Sequence, residues 1–312
     1  MNESGNRTTS LANVLDNLID DTQNISHCLL VELSDLSPGE FGFFEKTWSL
    51  LAPGRKCDVL GRLSELAEDN VGYDFGAVFK YALGDNDSTV RQKAIEGLWE
   101  SEEPSLIRPL LRLLTDDSSD AVRGAAAVAL GRFAVLAECR KIDADNIVRL
   151  SQPLLKIVND SNESLPLRRR ALEAVAPLSL ADVTQVIWAA YRREESEARA
   201  GAIRAMGLNR DLLWLPTIIQ ELASDDPEIR YVAAEAAGAL GEAEAAPSVI
   251  ELTDDPDPEV RLAAIQALGN IGGVAARRVL GQLTQHQDQS ICDAATNALA
   301  EIAFFEEPFS PH

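Results

Sequence analysis

DDPDPEVRLAAIQALGNIG, running from Asp254 to Gly272, decides the fold. Its apolar residues, Val260, Ala263, Ala264, Ala267, Leu268 and Ile271, fall at i, i+3, i+4, i+7, i+8 and i+11, a single stripe of an α-helix. The acidic, proline-bearing lead supplies an N-cap, an early proline and negative charge at the positive end of the helix dipole. The glycine that closes the stripe fits a helix C-cap, as Gly241 does one copy earlier.

The phrase recurs outward in both directions. DDPEIRYVAAEAAGALG (Asp225 to Gly241), EESEARAGAIRAMG (Glu194 to Gly207), DDSSDAVRGAAAVALG (Asp116 to Gly131) and NDSTVRQKAIEGL (Asn86 to Leu98) repeat its acidic turn, its aliphatic-Arg pair and its alanines. The arginines stand at Arg91, Arg123, Arg168, Arg199, Arg230 and Arg261, with successive gaps of 32, 45, 31, 31 and 31 residues. One further step of 31 reaches Cys292, where the pattern continues without the arginine. The 45-residue gap exceeds the 31-residue period by 14, which implies an insertion expected between repeats around Ala137 to Asn146. Between copies lies a second apolar helix, such as LLWLPTIIQELA (Leu212 to Ala223). Each unit is therefore a hairpin of two antiparallel helices, A and then B. One hairpin cannot bury both of its faces, so neighbours must stack on it.

The D-x-x-V-R-x-x-A-x-x-A-L-G phrase resembles the HEAT-repeat family, in particular the short bacterial type related to phycobilisome-lyase HEAT-like repeats. The resemblance covers Val71 to Ile302. It implies an all-α fold, a right-handed α-α superhelix (a HEAT-like solenoid) of about seven to eight helix pairs. Residues 1–70 are less regular and are expected to form a divergent helical cap. Residues 71–303 then form the repeats, and 304–312 a tail. Within the cap, Ser37-Pro38-Gly39-Glu40 reads as a capping box opening a helix through Leu51. Arg55 to Ala67 reads as its partner helix, and Leu11 to Leu18 as a short helix or part of a tail.

Composition narrows the function. Hydrophobic residues make up 46% of the 312, enough for a core, while aromatics are only 5%, which suits closely packed helices. Acids outnumber bases 50 to 28, a formal charge of −22 that repels phosphate backbones and anionic lipid, so nucleic acid is not an expected partner. The balance is uneven: Pro104 to Arg210 holds 16 bases against 13 acids, the remainder 12 against 37. The basic residues Arg168-Arg169-Arg170, Arg192-Arg193, Arg199, Arg204 and Arg210 read either as solvated surface interleaved with glutamates or as a seat for an acidic protein segment.

No apolar run approaches the length of a membrane span, and the N-terminus carries no signal-like apolar stretch. The cysteines Cys28, Cys57, Cys139 and Cys292 are scattered, which is expected to mean buried, reduced thiols and a cytoplasmic setting. His27, His286 and His312 form no metal-ligand spacing, and neither nucleophile nor phosphate-loop motifs occur. Deoxyhypusine hydroxylases, which have a similar repeat fold, need repeated His-Glu pairs that this chain lacks. No catalytic, cofactor or metal residue is therefore assigned.

The six arginines are expected to form a structural ladder, each bonding the acidic turn of its own or the adjacent repeat. An Asp, Asn or Glu stands five or six residues upstream of each: Asp85, Asp117, Asn162, Glu194, Asp225 and Asp255. In stacked hairpins the B helices line the concave side, where a partner touches several repeats at once. The rows exposed there should lie one and five residues after each ladder arginine. The first is Gln92, Gly124, Arg169, Ala200, Tyr231 and Leu262; the second is Glu96, Val128, Glu173, Arg204, Glu235, Gln266 and Asn297. Of these, Arg169, Glu173, Arg204, Tyr231, Glu235, Leu262 and Gln266 make the mixed apolar and charged strip expected to hold another protein. Trp48, Trp99, Trp188 and Trp214 read as core or inter-repeat packing. The repeat type is shared with bilin lyases, so the resemblance leaves an accessory lyase or chaperone-like role for a chromophore-bearing protein as the alternative to a non-catalytic scaffold.

Overall fold

A computed structural model describes residues 3–19, 25–193 and 195–306, and every regular element among them is helical. The chain forms two compact units, Met1–Phe133 and Ala134–His312. In the first, α1 (Glu3–Ile19) buries Leu11, Val14, Leu15 and Leu18, so the expected Leu11–Leu18 segment belongs to a longer helix. A short α2 (His27–Leu30) follows. These two pack on α3 (Pro38–Trp48) and α4 (Pro53–Asp69) respectively. Ser37 opens α3 with the anticipated capping box, its backbone N–H donating to Glu40 Oε2 at 2.9 Å, but the helix stops at Trp48 rather than Leu51. Two repeats follow, α5 (Gly76–Ala82) with α6 (Ser88–Gly97) and α7 (Ile107–Asp116) with α8 (Asp120–Glu138), whose residues 134–138 belong to the second unit.

The second unit continues with α9 (Asp145–Asn159), α10 (Leu165–Val175), α11 (Ala181–Tyr191), α12 (Ser196–Asn209), α13 (Leu215–Glu221), α14 (Pro227–Leu240), α15 (Ala246–Glu251), α16 (Pro258–Ile271), α17 (Gly273–Leu283) and α18 (Gln289–Glu306). The last helix carries past the expected tail boundary at 304, and residues 307–312 lie outside the described residues. The inserted residues are not a loop. They lengthen α8 to 19 residues and α9 to 15, against 14 in α14 and α16, with a short turn between them.

The stripe quoted first buries as its spacing requires: Val260, Ala263, Ala264, Ala267 and Leu268 are each at most 6% exposed. Its N-cap is Asp257, which accepts from the backbone of Glu259 and Val260, while Asp226 caps α14 by accepting from Glu228. Each acid is followed directly by the proline of the first helical position. Successive B helices then stack, α10, α12, α14, α16 and α18 in order, with small residues at the crossings.

Three glycines make that stacking possible, and they are not at turns. Gly207, Gly238 and Gly269 sit inside B helices, 31 residues apart, against the next B helix. A Cβ on Gly238 would lie 2.9 Å from the Cα of Ala267, and one on Gly207 would lie 2.8 Å from the Cα of Ala236. Gly241, by contrast, does end its helix as a left-handed C-cap at φ 72°.

The repeated arginines join consecutive turns. Arg230 donates from Nε and Nη2 to Asp255 of the next turn at 2.7 and 2.9 Å, and from Nη1 to the carbonyls of Ser224 and Asp225 at 2.8 and 3.1 Å in its own turn. Arg91 repeats this with Asp117 at 2.7 and 2.8 Å and with the carbonyls of Asp85 and Asn86. Arg199 reaches the 1%-exposed Glu221 on α13, which also accepts from Tyr191 Oη. Arg261 holds only carbonyls of its own turn, Asp255 and Pro256, while Arg123 and Arg168 donate to the carbonyls of Leu114 and Val158 at the end of the preceding helix. Arg230, Arg91 and Arg261 thus bond main-chain oxygens of their own turn, Arg123 also reaches Asp120 at 3.5 Å, and the carboxylates of Asp117 and Asp255 serve the arginine of the repeat before. Glu194 lies outside the described residues.

Two expectations are corrected. Cys28 and Cys139 are exposed and Cys57 and Cys292 half-buried, so none is a core thiol. Trp99 lies just beyond the end of α6 and is 52% exposed, whereas Trp48 and Trp214 are core.

Arg230→Ala strands the buried Asp255 carboxylate and is expected to cost about 3 kcal/mol in urea unfolding. Arg261→Ala loses only carbonyl acceptors and should cost about 1 kcal/mol. Equal losses would contradict this reading of the ladder. The Arg230 hydrogen bonds hold the Asp255 carboxyl below its usual 3.8. A depressed carboxylate contributes fully above that value and loses its contribution as pH falls through the folded value. The rung should therefore persist down to about pH 4 and fail below it.

Gly238→Ala, which in an open helix would stabilise by about 0.5–1 kcal/mol, should here destabilise by about 1–3 kcal/mol because backbone lies against the new Cβ. A raised melting temperature would show that α14 and α16 are free to separate.

Candidate functional site: a charged strip across the B helices

The expected strip residues are carried by four helices of the second unit: Arg169 and Glu173 on α10, Arg204 on α12, Tyr231 and Glu235 on α14, and Leu262 and Gln266 on α16. Ridges of equivalent positions on stacked helices bring them side by side. Arg204 Nη2 donates to Glu235 Oε2 at 3.2 Å, and Tyr231 Oη donates to Glu235 Oε1 at 3.0 Å. On the other side Arg204 Nη1 stands 3.8 Å from Glu173 Oε1, and Arg169 Nε stands 3.8 Å from the same oxygen. Arg169 Nη1 also reaches Glu197 at 3.4 Å. Positive and negative groups thus alternate from α10 to α14.

Glu173 is the uncomfortable member. Its Oε1 and the Nε of Arg169 are buried without a hydrogen-bond partner, because 3.8 Å is ion-pair range and too long for a hydrogen bond. Burial pushes its pKa above the usual 4.5 despite Arg204, Arg169 and Arg170 nearby.

Tyr231 and Glu235 pass directly into a cleft of about 530 Å³ that Leu262 and Gln266 also line. Ala263 and Ala298 lie at its base, and Glu259 and Glu301 add carboxylates that the row pattern did not pick out. Both are visible in the sequence only once α16 and α18 are known to be neighbours. Two members of the expected rows differ: Gly124 and Ala200 are buried. In the first unit Gln92 and Lys93 both bond Glu96, at 2.9 Å each.

A larger cleft, about 760 Å³, lies in the first unit beside Trp48, Lys56, Lys80, Asp85 and Arg112. Its central groups satisfy one another, since Asp85 accepts from Lys56 at 2.7 Å and from Trp48 Nε1 at 2.9 Å. Among the described residues no group of three or more His, Cys, Asp or Glu side chains is placed to hold a metal, and no helix is long and apolar enough to cross a membrane.

The family model for HEAT repeats matches residues 77–151 and 215–300, more than half of the chain. The chain belongs to the HEAT-repeat family. No curated protein matches it in sequence. Among solved structures, this HEAT-repeat chain resembles the complex of CpcE and CpcF of phycocyanin lyase from Nostoc sp. PCC7120 at 17% identity, covering 91% of this chain and 96% of that one, with a TM-score of 0.51. It also resembles the Kap95:Nup1 complex at 12% identity and a TM-score of 0.51, covering 95% of this chain but 46% of that one. At these identities the likeness is one of fold.

Glu173→Gln tests the electrostatics of the strip. A folded pKa raised above the unfolded value means that Glu173 favours folding most when protonated, and that this contribution is lost as pH rises through the folded pKa. The neutral isostere should leave stability at pH 7 equal or slightly higher, and flatten its pH dependence above about pH 4.5. A marked loss of stability at pH 7 would show that the carboxylate is well compensated.

Proposed function

We propose that this HEAT-repeat protein is a non-catalytic scaffold that holds another protein on its B-helix face, along Arg169, Glu173, Arg204, Tyr231, Glu235, Leu262 and Gln266. The supporting observation is the continuity of the strip: alternating charges on α10, α12 and α14 run into a cleft where Tyr231 and Leu262 stand over alanines. A half-buried aromatic and an aliphatic side chain beside partly desolvated ions form the composition of an interface centre with a polar rim. The carboxylates of Glu235, Glu259 and Glu301 around that cleft favour a partner that brings cationic or amide donors there, while Arg169 and Arg204 favour acceptors one or two helices away. Multivalent contact along a preformed surface would give affinity with no large rearrangement. The four cysteines, all unpaired, suit a reducing cytoplasmic setting.

The solved HEAT proteins most relevant to this reading are themselves complexes, of CpcE with CpcF and of Kap95 with Nup1. The first is a phycocyanin lyase, so an accessory role toward a chromophore-bearing protein is the second reading. A tagged full-length chain purified from its own cell distinguishes them. The scaffold reading expects a stoichiometric protein, a colourless eluate, and capture reduced at least tenfold by Tyr231→Ala with Arg204→Ala. Unchanged capture by that double variant removes the strip from the account, and a bound tetrapyrrole absorption band supports the lyase-type role.

A further inference from the structure

Arg168, like Arg261, closes on main-chain oxygens and on no carboxylate of the following repeat. Asp255 stands 25 residues after Arg230 and closes on it; the residue 25 places after Arg168 is Arg193. Arg168 spends its Nε on the carbonyl of Val158 at 3.0 Å, and where Arg91, Arg199 and Arg230 meet a carboxylate it meets a second cation, Arg193. Arg168, Arg169 and Arg193 together line a small pit of about 50 Å³, whose other walls include Leu165, Leu172 and Val186. Asp160 and Glu195 are the acids whose charge reaches Arg168 from the flanking turns, yet burial and then Arg193 outweigh them and pull Arg168 below the usual guanidinium value. Arg91, Arg199 and Arg230, each closed on a carboxylate, are held above it. Arg169 adds a buried Nε with no hydrogen-bond partner.

We propose that the Arg168–Arg193 rung is completed from outside, by a carboxylate on an acidic segment of a partner protein whose neighbouring residue seats a short aliphatic side chain in the pit. Among the described residues neither Arg168 nor Arg193 meets an internal carboxylate of the kind that closes the Arg91, Arg199 and Arg230 rungs, and an incoming one would make the same charge-assisted hydrogen bonds. The apolar walls offer nothing to a fully polar anion such as phosphate, but they accept the side chain next to a peptide carboxylate. The site rests on the reading that the chain binds protein. It lies at the turn edge of α10 to α12, apart from the Tyr231 cleft, and so it would read a different part of the partner.

The experiment measures fluorescence anisotropy of a dye-labelled peptide of alternating Glu and Val with the full chain, beside a Gln-Val counterpart and with inorganic phosphate as competitor. The Glu-Val peptide should bind, and its Gln-Val counterpart at least tenfold more weakly. Arg193→Gln should weaken binding at least tenfold. Arg193→Asp should abolish it while raising the thermal unfolding midpoint, because Arg168 then gains an internal carboxylate. Absence of Glu-Val binding, or unchanged binding in both Arg193 variants, overturns the proposal. Displacement by phosphate at the peptide's own concentration also overturns it, by assigning the site to a free anion. If Tyr231→Ala abolishes capture of the natural partner while both Arg193 variants retain it, protein binding stands and this site is removed.

Discussion

The bonds that set how one repeat meets the next are those from Arg91 and Arg230, at the starts of their B helices, to the turns of the following repeats. A hairpin of two short helices cannot bury both faces, so each repeat is stable only through its neighbours. Apolar stacking supplies most of that association but is indifferent to small slides and rotations. The Arg230–Asp255 and Arg91–Asp117 pairs are not. Two parallel N–H···O bonds set the distance and angle between consecutive turns, and a third nitrogen ties the same guanidinium to carbonyls of its own turn. The Asp255 and Asp117 side chains are 4% exposed, so a slipped turn would leave a carboxylate buried without a partner.

Close approach of the B helices accompanies those bonds from α12 to α16 and continues from α16 to α18, where Arg261 reaches only its own turn. Gly207, Gly238 and Gly269 meet Ala236, Ala267 and Ala298 backbone to backbone, and the side chains one turn along are drawn into a continuous row. That is why Arg204 can bridge Glu173 on one neighbouring helix and Glu235 on the other. Ala200 and Gly124, which occupy the first-row positions on their helices, are buried.

Much of this was written in periodicities of the chain. The apolar stripe gave the B helices and the 31-residue arginine period gave the repeats. The row rule placed Arg204, Tyr231 and Glu235 where they touch. One residue type does two jobs here: Gly241 reverses the chain at positive φ, while Gly238, three residues earlier, removes a side chain from a helix crossing. Glu221 was hidden because it answers Arg199 from inside an A helix rather than from the turn. Carbonyl acceptors leave no mark in a sequence at all. The inserted residues could be counted but not shaped, since apolar spacing across Ala134 to Leu150 allows two lengthened helices as readily as a loop. Arg193 stands out only when it is set against Asp117 and Asp255, the residues that answer Arg91 and Arg230.

The claim that the B-helix face is the surface that holds a partner is tested most directly by hydroxyl-radical footprinting of the full chain, free and in its captured complex. Side-chain labelling reports on exposure without altering the surface it measures. The account predicts that Tyr231 and Leu262 lose labelling in the complex, while Leu212 and Leu213, exposed in the short 3-10 turn that leads into α13, keep theirs. Protection confined to Leu212 and Leu213, with Tyr231 and Leu262 unchanged, would contradict it.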